Sequence, residues 1–133
     1  MPIPARVAQW NKVGLNRVVR HIAPWLPGLG VVVHRGRRSG RTYVTPVGAR
    51  RVGDMVLIPL TFGNQSDWSR NVRAAGGCTV RLGGHTYRAT SPELVTWADD
   101  RALIASAFNP VLRAGFRLLG IRQFMRLHAV LTG

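Results

Sequence analysis

Short runs of β-branched and aliphatic residues, each closed by glycine, proline or aspartate, dominate the middle of the chain. Residues 30–35 (GVVVHR) have the β-branched density of a strand. Residues 42–51 (TYVTPVGARR) read as a second strand, in which Pro46 predicts an edge position or a bulge. Val52, Gly53 and Asp54 turn the chain into a buried strand at 55–59. Residues 60–67 (LTFGNQSD) form a loop, and Asp67 is placed to cap a short helix over 68–75 that Gly76 and Gly77 stop. Strands at 78–82 and 85–90 face each other across Gly83-Gly84, a two-residue hairpin signal.

The two ends of the chain are patterned differently. Residues 4–22 read as a basic helix, with Ala8, Val18, Val19 and Ile22 able to share one face and Lys12, Arg17, Arg20 and His21 lying mostly elsewhere. Pro24 and Pro27 end it. Residues 99–119 have a helical period, begun by Asp99 and Asp100 and interrupted at Asn109-Pro110. Residues 122–130 (RQFMRLHAV) fit either more helix or a closing strand, and the strand is the reading adopted here. The total is mainly β, about six antiparallel strands with flanking helices. Many short antiparallel strands in one small domain predict a barrel, because closure removes exposed edges. The 133 residues make one domain: a basic helix within 1–28, a barrel core at 30–95, and a helical segment with a closing strand at 96–133.

Composition agrees with a packed core, since 46% of residues are hydrophobic and only 18% are charged. The charge balance is lopsided: Lys plus Arg number 19 against 5 acids, a net +14, and Lys12 is the one lysine. Guanidinium groups suit bidentate contact with carboxylate and phosphate, so the partner is anionic: nucleic acid, a membrane surface or a polyanionic small molecule. The longest apolar runs, 28–33 and 55–60, fall far below the ~20 residues of a membrane span. The first 25 residues carry charges throughout, unlike a signal peptide. Cys78 is the only cysteine, which excludes an intramolecular disulfide and a Cys-rich zinc site and fits a reducing cytoplasm. In a strand it is expected to be buried and inert. His21, His34, His85 and His128 show no metal-ligand spacing, so no metal is expected.

Two segments carry candidate chemistry. In the first, Arg35, Gly36, Arg37, Arg38, Ser39, Gly40, Arg41 and Thr42 place four arginines and one serine hydroxyl around two glycines between strands. Glycine lets backbone N–H groups approach a ligand, and the arginines supply charge, which is what a phosphate or a run of carboxylates needs. An exposed basic hairpin is the plainer account of the same residues. The second segment is Thr61, Phe62 and Gly63 at a strand end, followed by Trp68 and Asn71, which are i and i+3 on one helix face. Trp68 also suits a core filler, and Asn71 a cap on a backbone group.

Taken in order, residues 35–47 (RGRRSGRTYVTPV), 60–63 (LTFG) and 68–88 (WSRNVRAAGGCTVRLGGHTYR) resemble the deazaflavin-dependent nitroreductase family of the split β-barrel flavin-binding superfamily. The resemblance spans about residues 31–92, and the family it points to is abundant in actinobacteria. It implies a split β-barrel and coenzyme F420, an 8-hydroxy-5-deazaflavin with a phospholactyl polyglutamate tail, with FMN a weaker expectation. It implies that the 36–42 turn holds the phosphate and that Arg35, Arg37, Arg38 and Arg41 meet the tail's carboxylates. Thr45 and Pro46 then lie alongside the ring, Thr61, Phe62 and Gly63 approach its edge, and Trp68 and Asn71 support that loop from behind. The implied reaction is hydride transfer to a small lipophilic acceptor: a quinone, nitroaromatic or activated alkene. The cofactor carries the difficult step, so no indispensable acid–base residue is expected. The chain departs from the drug-activating nitroreductases in having no Tyr in its C-terminal segment, which offers Phe108, Phe116, Phe124, Met125 and His128, and in having Phe62 where a Lys often stands. Members pair as dimers or remain monomeric.

Two other classes of function compete. A binding protein on this scaffold would store the deazaflavin or hold FMN, haem or a fatty acid. A nucleic-acid module would explain the charge, but the chain has no recognition helix or aromatic RNA-binding strand. The stretch 103–119, with Arg113 and Arg117 one turn apart, suits packing on the barrel or peripheral contact with an anionic membrane.

Overall fold

The computed structural model describes residues 29–61 and 63–132. The N-terminal helix expected at 4–22 and the candidate Phe62 lie outside those residues. Seven strands and three helices follow in the order β1 (Leu29–Arg35), β2 (Thr42–Gly48), β3 (Arg50–Val52), β4 (Met55–Pro59), α1 (Asp67–Ala75), β5 (Gly77–Leu82), β6 (His85–Thr96), α2 (Arg101–Ala107), α3 (Pro110–Leu118) and β7 (Gln123–Leu131). The strands form one antiparallel sheet in the order β2-β1-β5-β6-β7-β4-β3.

That order requires curvature. The two edge strands, β2 and β3, are separated in the chain by Ala49 alone. One residue spans under ~4 Å, so the sheet must curl until its edges meet. Ala49 is buried at this corner, where a small side chain fits. The sequence pattern predicts one strand over 42–51 and about six in all; the corner divides that strand, and the described residues form seven. Pro46 sits opposite Val31 in β2, an edge strand of the sheet, where its missing N–H leaves no bond unmade.

Two apolar layers hold the sheet. Val32, Val56, Ile58, Val80, Tyr87, Ala89, Met125, Leu127 and Ala129 fill the barrel, with Trp68 and Val72 of α1 packed among them. On the outer face Leu57, Val95 and Phe124 meet Ile104, Ala107 and Phe108. Strand period 2 therefore divides β7 between the two layers, with Phe124 outward and Met125, Leu127 and Ala129 inward. The closing segment is thus a strand, paired with both β6 and β4.

Several local expectations shift. β6 runs past Thr90 to Thr96, through a register shift between Thr90 and Glu93 where Ser91 has φ +55° and Pro92 follows. Asp67 is the first helical residue of α1 and Ser66 is its N-cap, with no side-chain capping bond. Asp100 caps α2 through Leu103 N–H, whereas Asp99 stays outside the helix and accepts from Thr96 N–H at 2.8 Å. Those bonds to Thr96 hold the Asp99 carboxyl below its ordinary range. Asn109 caps α3, with Pro110 at its first turn, so the helical stretch breaks where the sequence placed the break.

Candidate functional site

The β1–β2 loop carries the arginine cluster at one end of the barrel. Its backbone is closed on itself: Gly36 N–H donates to Arg41 O at 2.7 Å, and Gly40 N–H to Gly36 O at 2.9 Å. Ser39 Oγ accepts from Arg41 N–H at 3.2 Å and lies 3.1 Å from the Tyr43 hydroxyl. A Cβ on Gly36 would stand 2.6 Å from Ser39 Oγ and 2.8 Å from Tyr43 Cε2, so those two exposed side chains would have to shift to admit one. Gly40 turns the chain at φ +70°.

Helix α1 clamps this loop from inside. Asn71 Oδ1 accepts both from Arg37 N–H at 3.1 Å and from Arg37 Nη1 at 2.7 Å. Arg37 Nη2 also lies 3.7 Å from the Asp67 carboxylate. The other amide group of Asn71 lies 3.1 Å from His34 Nδ1, and His34 Nε2 is 2.9 Å from Thr45 Oγ1. Both His34 and Asn71 are 5% exposed. The same helix reaches the second loop, because Arg73 Nη2 donates to Asn64 O and Arg73 Nε to Ser69 O. Asn64 Nδ2 in turn donates to Gln123 Oε1 at 2.9 Å, at the start of β7.

The predicted residues fall into three groups. Arg35, Arg38, Ser39, Gly40, Arg41 and Thr42 are exposed on the loop, with Gly36 and Arg37 half-buried among them. Thr45 and Pro46 on β2, and Thr61 and Gly63 after β4, are half-buried. Trp68 and Asn71 are buried. Trp68 belongs to the core, while Asn71 bonds the loop directly. Sequence reasoning did not bring in Arg73, Gln123 or the His34–Asn71 contact. His34 itself stands out in the sequence, as the histidine beside the arginine turn and a polar residue two positions after Val32 on an inward-facing strand.

The electrostatics follow from scarcity of acid. Among the described residues Asp54 pairs with His128, Asp67 with Arg37, and Glu93 and Asp100 with Arg126. Arg35, Arg38 and Arg41 have no carboxylate partner there. Across Gln123 from the second loop, a cleft of about 400 Å³ is lined by Thr96, Trp97, Ala98, Arg117, Ile121 and Arg122. The Arg117 guanidinium stands 4.7 Å from the centre of the Trp97 ring. No group of three His, Cys, Asp or Glu side chains is placed to hold a metal among the described residues, and no described helix is long and apolar enough to cross a membrane.

The chain is similar in fold to a solved structure described as an F420-H2 dependent reductase, at 14% identity, covering 76% of this chain and 94% of that one with TM-score 0.57. A structure described as an F420 reductase matches at 12% identity over 81% of this chain and 90% of that one, TM-score 0.52. A third, described as a domain-swapped dimer, matches at 14% identity over 91% and 98% of the two chains, TM-score 0.58. None of the curated proteins matches the chain. Residues 9–111 match the family described as F420H(2)-dependent quinone reductase. That match takes in the arginine loop, the clamping helix and most of the barrel, and the chain therefore belongs to the F420H(2)-dependent quinone reductase family, a split-barrel oxidoreductase that uses F420.

Proposed function

We propose that F420 binds across the barrel mouth with its phosphate and carboxylate tail on the Gly36–Thr42 loop. The observation that carries this reading is the loop itself, a backbone turn tied down by α1 whose outer arginines have no acid partner among the described residues. A polyanionic tail supplies what Arg35, Arg38 and Arg41 lack, and guanidinium groups meet carboxylates bidentately. The Ser39 hydroxyl adds a donor at the same turn. Thr45 and Pro46 on β2, and Thr61 and Gly63 after β4, border the ring. Trp68 and Asn71 hold the two loops in place from the barrel side. When bound, F420H2 supplies a hydride. The residues bordering the ring orient it and keep water from it, and the acceptor is a small lipophilic molecule such as a quinone, nitroaromatic or activated alkene.

The test is a fluorescence titration with F420, with FMN in parallel, on the wild type and on an Arg37→Ala/Arg38→Ala variant. We expect tighter binding of F420 than of FMN, weakened about tenfold or more in the variant. Binding of FMN alone would move the chain to another flavin branch, and binding of neither would remove the cofactor reading. Oxidation of F420H2 in the presence of menaquinone analogues, nitroaromatics and enones then sorts the acceptors. A chain that binds F420 but turns over none of them would be a binding protein.

A second observation concerns α3. Val111 is 80% exposed and Leu118 87%, beside Arg113 and Arg117 on the same short helix. We propose that this helix touches anionic lipid peripherally, where lipophilic acceptors dissolve. Co-sedimentation with anionic but not zwitterionic vesicles is expected, and sedimentation with neither would refute it. A homodimer is the assembly we propose, and a monomeric mass by light scattering would rule it out.

A further inference from the structure

The hydrogen bonds behind the arginine loop have one permitted direction. Arg37 can only donate, through its backbone N–H and through Nη1, so the Asn71 atom facing it is the carbonyl oxygen. The Asn71 NH2 group then faces His34 Nδ1 at 3.1 Å, and that nitrogen has to be bare to accept. The imidazole proton accordingly sits on Nε2 and is donated to Thr45 Oγ1 at 2.9 Å. Turning the amide over would set its NH2 against both Arg37 donors. A proton on Nδ1 would set two donors against each other at the other end. The bare Nδ1 therefore selects the amide orientation that grips Arg37.

We propose that His34 is a positioning residue of the F420 site: as the neutral Nε2–H tautomer it orients Asn71, and Asn71 fixes the arginine loop. This rests on reading that loop as the cradle for the cofactor's anionic tail. The alternative role is packing alone, since the His34 ring also stacks on Tyr43 at 5.8 Å. The two roles separate by experiment. In His34→Asn the short amide offers its oxygen near the place of Nδ1, restoring the acceptor for Asn71. In His34→Gln the amide reaches instead toward the place of Nε2, restoring the bond to Thr45 and losing the acceptor. Both substitutions lose the stacked ring.

The first measurement is a nitrogen–proton correlation spectrum of the wild type with labelled histidine at neutral pH. A protonated Nε2 and bare Nδ1 at His34 are expected. The opposite tautomer, or an imidazolium, overturns the proposal without any variant having to fold. The second is F420 affinity of the two variants by fluorescence titration, with melting temperature read alongside. His34→Asn should stay within about threefold of wild type, and His34→Gln should weaken by about tenfold, one lost buried acceptor in each equilibrium. Equal losses, or the reverse order, would mean that His34 serves packing or Thr45. The Arg37→Ala/Arg38→Ala variant tells the two levels apart: unchanged F420 binding there removes the cradle itself, and this proposal with it, while leaving the tautomer as measured.

Discussion

Cys78 shows how much a single residue's surroundings decide. It stands in β5 opposite Ala89, half-buried against the barrel core. Burial pushes its thiol from 9.0 up to about 12. The thiolate is the reactive form, so native protein at pH 8 should leave a disulfide reagent unreacted for many minutes, while unfolded protein reacts at once. Immediate reaction of the native chain would contradict this. The same shift sets a pH dependence. Above about pH 9 the unfolded chain gives up a proton that the folded chain keeps, so stability falls as pH rises from there toward 12. Cys78→Ser should flatten that decline in an equilibrium denaturation series.

At the scale of elements, the α1–β5 junction is the tightest joint described. Gly77 opens β5 opposite Thr90, and a Cβ on it would lie 2.5 Å from Ala89 O and 3.4 Å from Thr90 Cα. Both are backbone atoms of β6, which cannot swing aside as a side-chain tip can. Gly77→Ala should therefore cost about 1–3 kcal/mol, read as a lowered denaturation midpoint with an unchanged slope. A neutral result would show that β5 can slide on β6. α1 enters this joint and also bonds Arg37 and Asn64, so it links β5 to both loops of the candidate site.

For the molecule as a whole, β7 is the keystone. Phe124 is fully buried and meets Trp97, Phe108 and Phe116 at ring-centre distances of 5.1, 5.9 and 5.9 Å. The next residue, Met125, lies in the barrel. The two apolar layers thus share one strand, and neither should unfold alone. Phe124→Ala should cost about 3–5 kcal/mol, a large share of a typical domain's stability, and the transition should stay single in both fluorescence and circular dichroism. Two separated transitions would show that the helices and the barrel are independent. Arg126, two residues on, accounts for two of the five acids by pairing with Glu93 and Asp100, and both bonds raise its pKa further. That pairing leaves Arg35, Arg38 and Arg41 of the arginine loop without a carboxylate among the described residues.

The sequence by itself determined most of the local elements and singled out the arginine loop proposed here as the cofactor cradle. Strand runs, the Gly83-Gly84 turn, the Asn109-Pro110 break and the arginine cluster all depend on neighbours within a few residues, where φ/ψ preference and period decide. The order of motifs from residue 35 to 88 carried the F420 resemblance in the same way. What only the tertiary structure decided depends on distant partners. β7 starts with Phe124 and Met125 buried on opposite faces, and this adjacent apolar pair blurs the alternation that follows it, so residues 122–130 could be read two ways. The strand at 42–51 bends at Ala49 because the sheet has to close, and closure is a property of all seven strands together. His34 and Asn71 are 37 residues apart, and their bond exists only because α1 packs on β1. Direction in a hydrogen-bond chain is set by which donors and acceptors meet, and only the folded chain brings these together.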